Sequence, residues 1–189
     1  MIICPEKTAI KNSVSKSTKI IETLMSKDKE ILDYGCGKLR NTKYLKKQGF
    51  TNISVIDTET QINSLSKKEL QDFWYYNSPN QIKDNTFDCV LCSFVLNVLL
   101  PDVRKEVIKE IERVAKDIII LEVRTDNDLK STKNKVEYED GYLIGKGKIK
   151  TFQKPFNTSN FISFIKENTS LNIIEIKKYS NSLIMILKK

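Results

Sequence analysis

The sequence predicts an α/β fold, with a mostly parallel central sheet, helices on both faces and a C-terminal antiparallel hairpin. Three observations carry that prediction. Short apolar runs alternate with stretches of helical periodicity through about residue 124. The run at 87–93 is almost entirely apolar, as a strand covered on both faces must be. Near the C-terminus, two β-branched segments at 173–177 and 183–187 are separated only by a short polar turn.

In chain order, residues 8–25 place Ile10, Val14, Ile20, Ile21 and Leu24 at spacings that suit one or two helices. Residues 30–34 read as a first strand, 38–48 as a helix with Leu39 and Leu45 inward, and 52–56 as a β-branched second strand ending at Asp57. A helix lies within 59–70, and a third strand is expected at 73–76. After the strand at 87–93, Pro101 opens a helix to about Ala115, because proline suits a first helical turn. Its Val103, Val107, Ile108, Ile111 and Val114 repeat at helical spacing, and 118–123 is the fifth strand. Residues 157–168 form a helix capped from Asn157, Thr158 and Ser159.

At 189 residues, one domain spanning 1–189 is expected, with 1–28 as an N-terminal helical segment. The polar, glycine-bearing stretch 125–155 is a candidate lid or substrate loop. Hydrophobic residues make up 40% of the chain, enough to bury a core, and no apolar run is long enough to span a bilayer. The N-terminus lacks the pattern of a secretory signal, so a cytoplasmic protein is expected. The net charge of +8 attracts phosphates and suits DNA or RNA as partners, or else reflects lysines scattered over a solvated surface.

There is no histidine, which excludes Ser-His-Asp triads, His-Cys zinc sites and a histidine base. Cys89 and Cys92 have zinc-like spacing, but in a strand residues three apart face opposite ways, so no metal site is expected.

The chemistry concentrates after the first strand, in Asp33-Tyr34-Gly35-Cys36-Gly37. Glycines there let the chain turn sharply and let a ligand approach the backbone. The helix that follows offers free N–H groups. Asp33 just before the turn suits an ammonium group and would repel a pyrophosphate. Asp57 ends the second strand 20 residues beyond Gly37, where an acidic residue suits a ribose diol or caps the next helix. Asn77, after the third strand, is a candidate for an adenine contact.

The run from Ile31 to Gly37 with Asp57 resembles the donor motif of Rossmann-like S-adenosylmethionine-dependent methyltransferases. The commonest form of that motif has a third glycine where this chain has Leu39. Lys7-Thr8-Ala9-Ile10, the Leu32–Gly37 turn, Ser93-Phe94-Val95-Leu96-Asn97-Val98, Glu122-Val123-Arg124 and Thr151-Phe152-Gln153-Lys154 follow in order. Together they resemble the methyltransferases associated with DNA phosphorothioation systems. The resemblance implies S-adenosylmethionine as cofactor, held by Asp33, Tyr34, Gly35, Cys36, Gly37, Asp57, Asn77 and Ser93.

In open α/β sheets, ligands sit beyond the carboxyl ends of the strands. Asn97 and Arg124 stand there, one suited to orient an acceptor atom and the other to hold a phosphate or carboxylate. They are the candidate catalytic residues; a turn cap and a surface ion pair are their plainer roles. Thr151, Gln153 and Lys154 are candidate substrate-binding residues or parts of an edge strand. Neither an Asn/Asp-Pro-Pro-Tyr/Phe motif nor a Pro-Cys nucleophile is present, which counts against ordinary amino-group and cytosine-C5 DNA methylation. A nucleic acid or nucleotide-derived acceptor comes first, a small-molecule acceptor second. A non-catalytic donor-binding partner subunit is the rival of a different kind.

Overall fold

The computed structural model describes residues 2–8 and 13–189. Its elements in order are β1 (Ile2–Ile3), α1 (Lys16–Leu24), β2 (Ile31–Tyr34), α2 (Arg40–Lys47), β3 (Ile53–Ile56), α3 (Glu59–Ser64), α4 (Lys67–Leu70) and β4 (Trp74–Tyr76). Then follow β5 (Phe87–Ser93), α5 (Pro101–Val114), β6 (Ala115–Arg124), α6 (Asp126–Leu129), β7 (Lys135–Tyr138), β8 (Gly141–Ile144), β9 (Ile149–Gln153), α7 (Thr158–Asn168), β10 (Asn172–Lys178) and β11 (Ser182–Lys188).

The main sheet has seven strands in the order β10-β11-β6-β5-β2-β3-β4. The five strands from β6 to β4 are parallel, while β11 runs antiparallel to both β6 and β10. The doubly wound parallel core and the final antiparallel hairpin are therefore both present. From β2 the chain winds outward through β3 to β4, then returns to β5 on the other side of β2. That reversal places a topological switch point between β2 and β5, where such sheets bind ligands.

Alternation along the strands sorts the core. Leu32, Val90, Cys92, Leu121 and Met185 face one side, packing with Ile108 and Ile111 of α5 and Phe161 and Ile165 of α7. Ile31, Cys89, Leu91, Ile120 and Ile184 face the other, against Ile21 of α1 and Leu45 of α2. Asn157 caps α7 as expected, its Oδ1 accepting from the Asn160 amide at 2.8 Å, a cap worth about 1 kcal/mol.

Two expectations change, while the expected third strand is present as β4. The N-terminal helix is shorter than 8–25: Ser15 caps α1, so the helix begins at Lys16. Ile10 and its neighbours at 9–12 lie outside the described residues. The third strand, β4, is an exposed edge with Trp74 81% accessible. The stretch 125–155, a candidate lid or substrate loop, carries three strands: β7, β8 and β9 are antiparallel neighbours, with β1 parallel to β9. The physical reason is the pairing of Leu143 with Phe152 of β9 and, across a tight turn, with Val136 of β7. Glu139 takes φ 50° in that turn.

This small sheet is fastened to the core by Arg104 of α5, whose side chain is 3% exposed. It donates to the Leu96 and Leu99 carbonyls at 2.9 and 2.8 Å and to both oxygens of Asp140 at 2.6 and 3.1 Å.

Candidate active site

The turn after β2 is built by its glycines. Gly35 has φ +79°, and a Cβ there would come within 2.2 Å of the Val95 side chain. The Gly35 and Cys36 amides donate to the Ile56 carbonyl at 2.8 and 3.1 Å, fixing the turn against β3. Gly37 has φ 52°, and its amide donates to Asp57 Oδ2 at 2.8 Å. Asp57 Oδ1 accepts from the Thr58 amide at 2.8 Å, so two main-chain donors hold this carboxylate at the rim of the turn.

Above the turn, at the switch point, lies a cavity of about 170 Å³. Gly35, Cys36, Gly37, Asp57 and Ser93 line it. Asp33, Tyr34 and Asn77 do not line it. Tyr34 packs into the core, where burial pushes its hydroxyl pKa up. Asn77 does not line the cavity; its amide donates to Gln81 Oε1 at 3.0 Å in the turn after the edge strand.

Asp33 is buried directly beneath the turn, 1% exposed. Thr42 donates to its Oδ2 at 2.7 Å, while Oδ1 has no hydrogen-bond partner among the described residues. Burial raises its pKa to about 6, against the pull of the Thr42 hydroxyl. Burial likewise pushes up the Cys36 thiol, so Cys36 is a neutral wall rather than a nucleophile.

Several lining residues were not anticipated. Gln61 donates from Nε2 to the Gly37 carbonyl at 3.1 Å, and Thr58 caps α3 beside it. A helix start following Asp57 was the available signal for both. Arg40 lines the same cavity and donates to the Ser13 carbonyl at 3.0 Å. Ser93 belongs to a buried polar cluster: its hydroxyl lies 2.7 Å from Ser17 Oγ, which donates to Glu122 Oε2 at 2.8 Å. The Ser182 hydroxyl donates to Glu122 Oε1 at 2.8 Å. Glu122 is thus an ionisable group in the core with three donors, and it ties the ends of α1, β5, β6 and β11 together.

A second cavity, about 550 Å³, opens under the small sheet and shares Thr8 and Arg124 with the first. Arg124 is paired with Asp128, and its guanidinium lies 5.3 Å from the Phe94 ring centre. Its Nε is buried without a hydrogen-bond partner among the described residues. Thr151 and Gln153 line this cavity too.

Two acceptor-side candidates do not reach it. Lys154 turns to the other side, 3.6 Å from Asp140. Asn97 is fully buried, and its amide is spent on main chain: Nδ2 donates to the Lys154 carbonyl at 2.5 Å, and Oδ1 accepts from the Arg124 amide at 2.8 Å. Asn97 is therefore a positioning residue. The reason is topological: β9 returns beside the end of β6, and its amides and carbonyls need partners there.

Sheet order, glycine turn and cavity together define a Rossmann-like methyltransferase fold. Residues 32–118 match the methyltransferase domain family. A Pyrococcus horikoshii protein, PH0226, is 18% identical with a TM-score of 0.72, over 96% of this chain and 94% of that one. The 1,6-didemethyltoxoflavin-N1-methyltransferase of Burkholderia thailandensis, solved with bound 1,6-didemethyltoxoflavin and S-adenosylhomocysteine, is 14% identical with a TM-score of 0.67, over 92% and 76%. The magnesium protoporphyrin IX methyltransferase of Synechocystis, solved with S-adenosylmethionine, is 14% identical with a TM-score of 0.62, over 91% and 76%.

No curated protein matches the sequence. The fold is that of Rossmann-like methyltransferases, and residues 32–118 carry the methyltransferase domain. Among the described residues no helix is long and apolar enough to cross a membrane, and no cluster suits a metal ion.

Proposed function

We propose that the chain transfers a methyl group from S-adenosylmethionine in the first cavity to a nucleic acid or nucleotide-derived acceptor in the second. The observation that carries this reading is the wall the two cavities share at Arg124 and Thr8. The donor fits the residues present. Asp33 Oδ1 is a buried acceptor without a partner among the described residues, suited to an ammonium group directly or through water. Asp57 stands where a ribose diol is held, and the Gly35–Gly37 turn leaves the backbone open to it. Tyr34 and Asn77 have no part in this donor site.

S-adenosylmethionine supplies a methyl activated on a sulfonium, so the protein's task is alignment rather than covalent catalysis. Arg124, Thr151 and Gln153 orient the acceptor; Asn97 holds Arg124 in place, and Lys154 braces Asp140. One domain, acting in the cytoplasm, performs this. The motif order relates it to the methyltransferases associated with DNA phosphorothioation.

The second reading is a small-molecule acceptor. It is favoured by the size of the second cavity, which lies within the range that encloses drug-sized ligands.

Calorimetry with S-adenosylmethionine tests the donor site: Gly37→Arg and Asp57→Ala should each weaken binding by about tenfold or more. Unchanged affinity in both variants overturns the assignment. Strand binding, if it occurs, should weaken steeply between about 50 and 200 mM salt as lysines release counterions.

A further inference from the structure

We infer that the second cavity receives a single nucleoside monophosphate unit, its base edge read by Gln153 and Arg124 and its phosphate held at the rim by Lys7 and Lys146. The inference rests on the methyltransferase reading for the source of the methyl, but its recognition chemistry stands on the cavity alone.

Gln153 is 4% exposed and lines the cavity. Its Nε2 reaches Thr8 Oγ1 at 3.4 Å, while Oε1 is buried with no partner among the described residues. Arg124 lines the same cavity and carries a buried Nε–H that is also unpartnered among the described residues. A buried donor or acceptor left unpaired costs about 1–3 kcal/mol, so two such groups on residues that line one cavity favour a ligand that pairs with both as the side chains turn to it. The complement is an edge that donates one hydrogen bond and accepts another. Nucleobases present such edges, and the side-chain amide is a common reader of them.

The charge on the lining calls for an anion. Lys7, Arg124, Lys146 and Lys150 face a single carboxylate, Asp128, among the described residues. That carboxylate is paired with Arg124, and Lys150 is tied to the Gly145 carbonyl across the β8–β9 turn. Lys7 and Lys146 are the exposed ammonium groups at the rim. Ammonium groups at the mouth and hydrogen-bonding groups within suit a phosphate attached to a base. At about 550 Å³ the space suits one such unit.

The unit can come from a free nucleotide or from one residue of a strand, and the test separates the two. Full-length protein saturated with S-adenosylhomocysteine is titrated calorimetrically with AMP, GMP, CMP and UMP, with the four nucleosides, and with single-stranded DNA and RNA ten-mers. A free-nucleotide acceptor is shown by a monophosphate that binds at least about tenfold tighter than its nucleoside. A strand acceptor is shown by a ten-mer binding where no monophosphate does.

In either case Gln153→Ala and the surface variant Lys146→Ala should each weaken that binding several-fold, while S-adenosylhomocysteine affinity stays within about threefold. Lys146→Ala disturbs no buried contact, so its result stands even if the Gln153 variant folds poorly. Failure of every nucleotide and strand to bind protein that does hold S-adenosylhomocysteine overturns the inference and leaves the methyltransferase reading intact. So does nucleotide binding unchanged in both variants. Failure to hold S-adenosylhomocysteine overturns the methyltransferase reading instead.

Discussion

The side chain of Asn97 and the main chain of Arg124 are hydrogen-bonded in both directions: the Arg124 amide donates to Oδ1 at 2.8 Å, and Nδ2 reaches the Arg124 carbonyl at 3.5 Å. The same Nδ2 donates to the Lys154 carbonyl at 2.5 Å, so one buried amide joins the ends of β5, β6 and β9. The wall between the two cavities is therefore set by a residue that lines neither of them.

Truncating Asn97 should separate two effects that sequence alone would merge. Asn97→Ala leaves the Arg124 amide and the Lys154 carbonyl buried and unpaired, a loss of about 1–3 kcal/mol for each group that water cannot reach. Urea melts should show that loss directly. Arg124→Ala takes the ion-pair partner from the largely buried Asp128, so it too should lower the melts. In protein that remains folded it should lower methyl transfer by about 10²-fold, the scale expected when positioning is lost. A stable Asn97→Ala protein with a large loss of turnover would return Asn97 to the acceptor itself.

Asp33 makes the protein's stability depend on pH in an unusual direction. Its folded pKa is raised from 3.8 to about 6, because burial disfavours the carboxylate. Between those values the unfolded chain has already lost a proton that the folded one keeps. The contribution is fully present below about 4 and is lost as pH rises through about 6. Asp33→Asn keeps an acceptor for Thr42 and carries no charge, so it should be more stable than the parent at pH 7 by up to about 3 kcal/mol and indistinguishable at pH 4. Donor affinity should move the other way, rising through pH 6 in the parent and staying low and flat in Asp33→Asn. Denaturant titrations and calorimetry at pH 5, 6 and 7 check both; a parent with no such slope removes Asp33 from the donor site.

Much of this was readable before the fold was known. The strands of the parallel core announce themselves by apolar runs with turns between them, and Gly35, Gly37 and Asp57 follow from where a turn must bend and where a strand must end. Tyr34 and Asn77 were less legible, because a motif gives an order of residues but not which face of the strand each occupies. Residues 135–144 read as loop, since each strand has only four residues and pairs with a neighbour that periodicity cannot name. The Ser17–Glu122–Ser182 cluster joins positions far apart in the chain, and no local pattern predicts it.

Leu39, which stands where the commonest donor motif has a glycine, shows how the chain manages without it. The residue takes the left-handed conformation at φ 60° and ψ 22° as the N-cap of α2, with its amide bonded to the Cys36 carbonyl at 2.9 Å. That backbone costs a non-glycine residue about 1–2 kcal/mol. Its side chain is fully buried with Cys36, Val55 and Ile62, joining the donor turn to β3 and α3. Deleting a buried leucine side chain costs about 2–5 kcal/mol, more than the strain it would relieve. Leu39→Gly should therefore destabilise the protein by about 1–3 kcal/mol, despite restoring the commoner residue. Because Leu39 packs on Cys36, donor affinity should fall several-fold as well. Equilibrium unfolding with calorimetric titration of S-adenosylhomocysteine measures both. A more stable Leu39→Gly protein would mean that backbone strain, and not the Cys36–Val55–Ile62 packing, dominates at this turn.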